Sequence, residues 1–207
     1  MTIVSVESKI RRKQWKILLT LSNGEILELD PDAFASFNLH SGDMLDESTK
    51  ESLLLADQQK RGLQQALRWL AVRPQAGGEL RRRLNQKGFA QVTDNIIEKL
   101  RSQDYINDDD FARRYVKTRL LTKNIGRRMI EAELKAKGIA GVSIERVLDE
   151  LMDLETTLRL AKKAVSKKMA LLKKLDPAKR KRKIYSFLLQ RGFDSEIIAQ
   201  VLKEEGL

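Results

Sequence analysis

One ten-residue pattern, repeated three times, constrains this fold more than any other feature. Leu80-Arg-Arg-Arg-Leu84-Asn-Gln-Lys87-Gly88-Phe89 matches Ile130-Glu-Ala-Glu-Leu134-Lys-Ala-Lys137-Gly138-Ile139 and Ile184-Tyr-Ser-Phe-Leu188-Leu-Gln-Arg191-Gly192-Phe193. Each block reads as a helix with apolar residues at i and i+4, a basic residue in its last turn, and glycine just past its end. The bulky apolar residue after each glycine is placed to fold back, as in a Schellman ending. Gly88, Gly138 and Gly192 lie 50 and then 54 residues apart. They read as helix terminators rather than phosphate loops, since no glycine-rich run surrounds them. A second helix follows each block. Thr93 or Asp94 is the expected cap before Ile96, Ser143 before Ile144, and Asp194 or Ser195 before Ile197. A third precedes each block, over 63–72, 111–121 and 158–172. The unit is a three-helix bundle of about 50 residues used three times, the signature of a repeat architecture.

Ahead of the repeats the pattern is β. Ile3-Val4 with Val6, the run 15–21 and the run 26–29 read as three strands, with Asn23-Gly24 as the hairpin turn between the last two. Asp30-Pro31-Asp32 closes the third strand and opens a short helical turn through Phe34 and Phe37. From about residue 48 the period changes to 3.6, giving one long helix or two joined near Gly62. The expected fold class is mainly α: a tandem array of three three-helix units preceded by a small N-terminal β module. The expected domains are a three-stranded module over 1–47, a linker helix with repeat one over 48–106, repeat two over 107–155 and repeat three over 156–207.

Composition removes whole classes of chemistry. The 207 residues include no Cys and one His, so disulfides, thiolate nucleophiles, iron–sulfur clusters and finger-type zinc sites are excluded, and a His-rich metal site with them. The acids Asp108-Asp109-Asp110 suit the cap and first turn of the helix that follows better than a Mg²⁺ cluster. His40 reads as a loop residue. Trp15, Trp69, Phe89 and Phe193 fall at core spacing, as packing rather than base-stacking groups. No apolar run is long enough to span a membrane and no secretory leader is read, so the expected location is cytoplasmic. No cofactor is expected and no enzymatic activity.

The net charge of +11 is unevenly placed. Residues 1–50 carry −2, 51–156 carry +4, 157–192 carry +12 and 193–207 carry −3. An excess of that size over 36 residues repels itself and points to a polyanion. The shorter clusters Arg81-Arg82-Arg83, Arg113-Arg114 and Arg127-Arg128 read on their own as solvated helix faces. Two helices joined by a glycine turn suggest a sequence-reading helix-turn-helix, but the trailing helices carry Glu145, Asp149, Glu150, Glu196, Glu204 and Glu205, a poor fit to phosphates.

With these residues in view, the chain resembles the RecX family, bacterial regulators of the recombinase RecA. The resemblance covers the helical part, about 60–205, and extends to the β module. It rests on Ala66 through Pro74, Glu79-Leu80 through Gly88, Leu100, Tyr105 through Ala112, Tyr115-Val116, Gly126 and Ile130 through Ile139. Where the family often has a Ser-containing stretch before the Glu-Leu pair, this chain has Gln75-Ala76-Gly77-Gly78. The resemblance implies a non-enzymatic inhibitor that lies in the groove of the RecA–DNA filament and limits its extension, ATP hydrolysis and strand exchange. It would thereby modulate recombination, DNA repair and the SOS response. A modular binder of this kind is expected to act as a monomer. The expected partners are the RecA filament and single- and double-stranded DNA, with no membrane. The expected contacts are Arg81, Arg82, Arg83 and Lys87 in repeat one, Arg113, Arg114, Arg127 and Arg128 in repeat two, and Lys179, Arg180, Lys181, Arg182 and Lys183 in repeat three. The alternative is a general basic coat protein that competes for DNA or RNA.

Overall fold

The computed structural model describes residues 1–11, 14–172 and 174–206. The chain divides into two compact units, Met1–Gln75 with Leu80–Ile106, and Ala76–Glu79 with Asn107–Leu207.

The first unit opens with an antiparallel sheet of β1 (Ile3–Arg11), β2 (Gln14–Leu21) and β3 (Ile26–Leu29), in that order. Val6↔Leu19↔Leu27 and Ile17↔Leu29 are in register, which puts one apolar face together. Ile3, Leu19, Leu21 and Leu29 on that face are buried with Leu45 and Leu53. Gly24 takes the left-handed conformation that the turn after β2 requires, at φ 85°. Strand β1 is longer than its apolar run, because backbone pairing continues to Arg11↔Gln14 after the side chains have become exposed. Trp15 departs from the sequence expectation. Its partner across the strands is Ile10, both are 62% exposed, and neither is core. Alternation carries the apolar pattern past the end of what the helices cover.

Asp30 accepts from the Asp32 amide and so caps α1 (Pro31–Ala35), as the Asp-Pro-Asp signal predicts. The long segment is a single helix, α2 (Glu47–Val72), not two. Gly62 lies in its middle for a packing reason. A methyl group there would come 2.6 Å from Ile96 Cδ1 and 3.2 Å from Phe89. A buried polar cluster ties the sheet to α2: Asp57 accepts from the Asp30 amide at 2.7 Å and pairs with Arg61 at 2.9 Å. Lys50 also reaches Glu25 at 2.7 Å.

The first repeat packs α2 with α3 (Gly77–Gln86) and α4 (Thr93–Ser102) around Ala66, Leu80, Leu84, Ile96, Ile97 and Leu100. The second is α5 (Asp108–Thr122), α6 (Arg127–Ala136) and α7 (Gly141–Leu151). The third is α8 (Leu154–Leu171), α9 (Pro177–Gln190) and α10 (Ser195–Glu204). Repeats two and three share one core, in which Ile130, Leu134, Ile144, Val147, Ile184, Leu188, Phe193 and Val201 are buried. The three endings share one geometry. Phe89, Ile139 and Phe193 donate backbone N–H to the carbonyls of Leu84, Leu134 and Leu188 at 3.1–3.2 Å, with the intervening glycines at φ 86°, 80° and 82°.

Three expected caps are different. The Thr93 hydroxyl donates back to the Phe89 carbonyl, Asp94 is drawn to Arg81, and Val92 occupies the cap position of α4. Helix α7 begins at Gly141, two residues before Ser143, with Ala140 at its cap. Asp194 occupies the cap position of α10 without a side-chain hydrogen bond, because its carboxylate pairs with Arg128 at 2.6 Å. The acids 108–110 do form the first turn of α5, capped by Asn107.

Candidate interaction surface

The charge of repeat two is largely neutralised within the chain. Arg113 on α5 pairs with Glu150 on α7 at 3.0 Å, and Arg127 on α6 pairs with Asp149 at 2.7 Å. Arg146 on α7 pairs with Asp109 on α5. Arg114 meets Asp110 at 3.0 Å one turn away, and Arg128 meets Asp194. The acidic trailing helix that argues against a DNA-reading role is therefore the counter-charge for these arginines. The Ser143 hydroxyl, then the charge of Arg146, hold the Asp109 carboxyl below its ordinary range. The carboxylate of Glu150 raises the Arg113 guanidinium. Beneath them Arg119 donates to Glu133 at 2.7 Å and to the Tyr115 hydroxyl at 2.6 Å, joining α5 to α6. Burial, first of all, raises the Tyr115 phenol.

Repeat one is similar. Arg81 pairs with Asp94, and Arg83 lies 4.1 Å over the Trp69 ring while donating to Gln75 at 2.6 Å. Arg82, though exposed, is also engaged within the chain. Lys87 is exposed at the end of α3, and its side chain has no partner among the described residues.

Repeat three differs. Asp176 caps α9 through the Lys179 amide and leaves the Lys179 side chain to solvent. Lys179, Arg182 and Lys183 fall on the exposed face of α9, away from Ile184 and Leu188 in the core. None of the three has a side-chain partner among the described residues. Arg180 instead turns back to the Leu175 carbonyl at 2.9 Å, and Lys181 is also engaged within the chain. The same pattern occurs on α8, where Lys163 and Lys167, one turn apart, are exposed and unpaired among the described residues. Lys162, on another side of the helix, is taken by Glu204 at 2.6 Å. Of the residues singled out by sequence, then, Lys179, Arg182 and Lys183 share one face of α9. Arg113, Arg127 and Arg128 are held in ion pairs that join helices.

Lys163 and Lys167 were missed as individual residues, although their i, i+4 spacing inside the +12 segment was available to find them. Arg68, exposed on α2, was missed too, and no pattern in the sequence marks it.

Known proteins share the three-helix plan. Models of the first, second and third three-helix domains of RecX match residues 63–100, 107–148 and 155–202. Regulatory protein RecX of Listeria monocytogenes serovar 1/2a is 34% identical over 197 residues, which is 95% of this chain and 72% of that protein. The chain belongs to the RecX family. Regulatory protein RecX of Geobacillus thermodenitrificans is 31% identical over 98% of this chain and 77% of its own length. A crystal structure of regulatory protein RecX aligns over 98% of both chains with a TM-score of 0.74 at 25% identity. RecX from Lactobacillus salivarius aligns over 72% of this chain and 97% of its own with a TM-score of 0.66 at 27% identity. The chain thus belongs to a family of regulatory proteins with three three-helix domains, and its own repeats follow a small three-stranded sheet. No described helix is long and apolar enough to cross a membrane.

Proposed function

We propose that the chain regulates a RecA recombinase by binding in the groove of the RecA–DNA filament, limiting its extension and with it ATP hydrolysis and strand exchange. It would act as a monomer in the cytoplasm and modulate recombination, DNA repair and the SOS response. Its working parts would be the module of 1–47 and the repeats of 48–106, 107–155 and 156–207. The observation that carries this reading is the unpaired cationic face of the third repeat, in a member of a family of regulatory proteins. Lys163, Lys167, Lys179, Arg182 and Lys183 would meet the acidic filament surface and DNA phosphates. Lys87 would add to them from repeat one, towards the acidic filament surface. Arg81, Arg82, Arg83, Arg113, Arg114, Arg127, Arg128, Arg180 and Lys181 would act mainly by fixing the helices that present these cations. The protein would hold no cofactor and would act by contact rather than by catalysis.

The same cationic face supports a second reading, a coat that covers nucleic acid and excludes other proteins by competition. The ATPase rate of preformed filaments on single-stranded DNA separates the two, with free DNA in excess as a sink. The regulator reading predicts a falling rate at well under one protein per recombinase monomer. A fall only after the free DNA is saturated would make it a coat, and no change at any ratio would overturn both.

A further inference from the structure

Two of the three repeat endings are filled by the start of another helix. At the end of α9, the Gly126 and Arg128 amides donate to the carbonyls of Arg191 and Gly192 at 2.8 and 3.1 Å. The unsatisfied donors that open α6 thus meet the unsatisfied acceptors that close α9. Only a small residue permits this approach, since a methyl group on Gly126 would overlap the Gly192 carbonyl. Arg191 reaches across to the Asn124 carbonyl at 3.2 Å. At the end of α6 the arrangement recurs. A methyl group on Gly78, in the first turn of α3, would stand 2.6 Å from Gly138 Cα, and Lys137 lies 3.9 Å from Glu79 in the same turn. The filled endings therefore share three parts: a glycine on the socket, a small residue on the incoming turn, and a socket cation that reaches the incoming segment.

The end of α3 has the same Schellman geometry and its cation, Lys87, but among the described residues no helix start enters it. A methyl group on Gly88 would meet none of the described residues within 4 Å. A cavity of about 360 Å³ opens there instead, between Lys87-Gly88-Phe89 and Gln65 and Arg68 of α2. We propose that this cavity is a socket for the first turn of a helix from a protein partner. The turn would carry a small residue against Gly88 and a carboxylate towards Lys87 and Arg68. The carboxylate follows from the Lys137–Glu79 pair in the filled socket and from the surplus of positive charge at the rim.

A second copy of this chain does not supply such a turn from its third repeat. Helices α3 and α6 begin at Gly77 and Arg127, three residues before Leu80 and Ile130, whereas α9 begins at Pro177, seven before Ile184. The positions matching Gly78 and Gly126 are Arg182 and Arg180, which are too large to make the approach. The start of α9 in a second copy is therefore not the occupant, and we assign the socket to a helix start of the partner protein.

The experiment uses the recombinase filament as that protein and so rests on the function proposed above. Gly88→Asn fills the socket without changing charge, and asparagine tolerates the left-handed backbone. Affinity is measured for preformed filaments and for naked single-stranded DNA, with circular dichroism as the check on folding. The socket predicts filament affinity at least about tenfold weaker with DNA affinity within about twofold of the parent. Unchanged filament affinity in folded G88N overturns the socket alone. Equal loss on filaments and DNA also overturns it, since the cavity would then be a nucleic-acid site. Should G88N fail to fold, Lys87→Met at the exposed rim must weaken filament binding more than DNA binding, and an equal effect on both counts against the socket. A parent protein that binds no filaments overturns the recombinase reading first and the socket's partner with it.

Discussion

Repeats two and three carry similar cations on the same three-helix plan, yet use them differently. In repeat two Arg113, Arg127 and Arg146 lock α5, α6 and α7 to one another through Glu150, Asp149 and Asp109. In repeat three α8 and α9 have few acids to meet, and Lys163, Lys167, Lys179, Arg182 and Lys183 stay in solvent. A neutralised pair contributes little to the field beyond about a Debye length, ~8–10 Å in ordinary salt, whereas unpaired like charges on adjacent helices add. On the proposed reading, the basic residues left over after pairing within the fold, not their total number, mark where a polyanion binds.

That contrast can be broken experimentally. The largest effect expected is from K179Q/R182Q/K183Q, which removes the free face of α9 and lowers filament affinity by about tenfold or more at physiological salt. The melting temperature stays near the parent value, because no ion pair is removed; equilibrium binding and thermal melts check both halves. The double variant R113Q/R127Q should do the reverse. Two inter-helix pairs disappear, melting falls by a few degrees, and affinity stays within about twofold. Smaller again is the effect of E150Q/D149N, which releases the same arginines to solvent. Affinity for filaments or DNA then rises by about two- to threefold as melting falls. A drop in affinity would mean that the arginines of repeat two need their acids to be presented at all.

The smallest effect is in pH. The Ser143 hydroxyl and the charge of Arg146 lower the Asp109 pKa from its ordinary 3.8, and the Thr156 side chain and amide do the same for Asp153 at the cap of α8. A carboxyl lowered on folding contributes stability that is complete above its unfolded value and is lost as pH falls through its folded value. Melting should therefore be flat from neutral pH to about 5 and decline below about 4, and D109N should decline less.

The repeats were legible in sequence because their signals are local. A left-handed glycine, a basic last turn and a fold-back residue all act within six positions of Leu84, Leu134 or Leu188, and the Asn23-Gly24 turn acts within two. The caps were less legible. Asp94 and Asp194 sit where caps belong, but Arg81 and Arg128 take their carboxylates instead. The proposed binding surface was half legible. The +12 segment pointed to it and to all of 179–183, but not to the turning back of Arg180 or the engagement of Lys181 within the chain. Which other arginines were neutralised was hidden, because Arg113 and Glu150 stand 37 residues apart. Gly78 and Gly126 were hidden for the same reason. Each is small because a backbone from another repeat lies against it, and no neighbour in sequence reports that. Trp15 misled because strand alternation does not record where the covering helices stop.

The salt dependence of filament binding tests the central claim most directly, measured for the parent, K179Q/R182Q/K183Q and R113Q/R127Q side by side. The predicted result is a slope of log affinity against log salt that flattens in the third-repeat variant alone, by about 0.7–0.9 for each phosphate left without its cation. Equal flattening in both variants, or flattening in R113Q/R127Q alone, would show that the paired arginines bind the partner and would contradict the account.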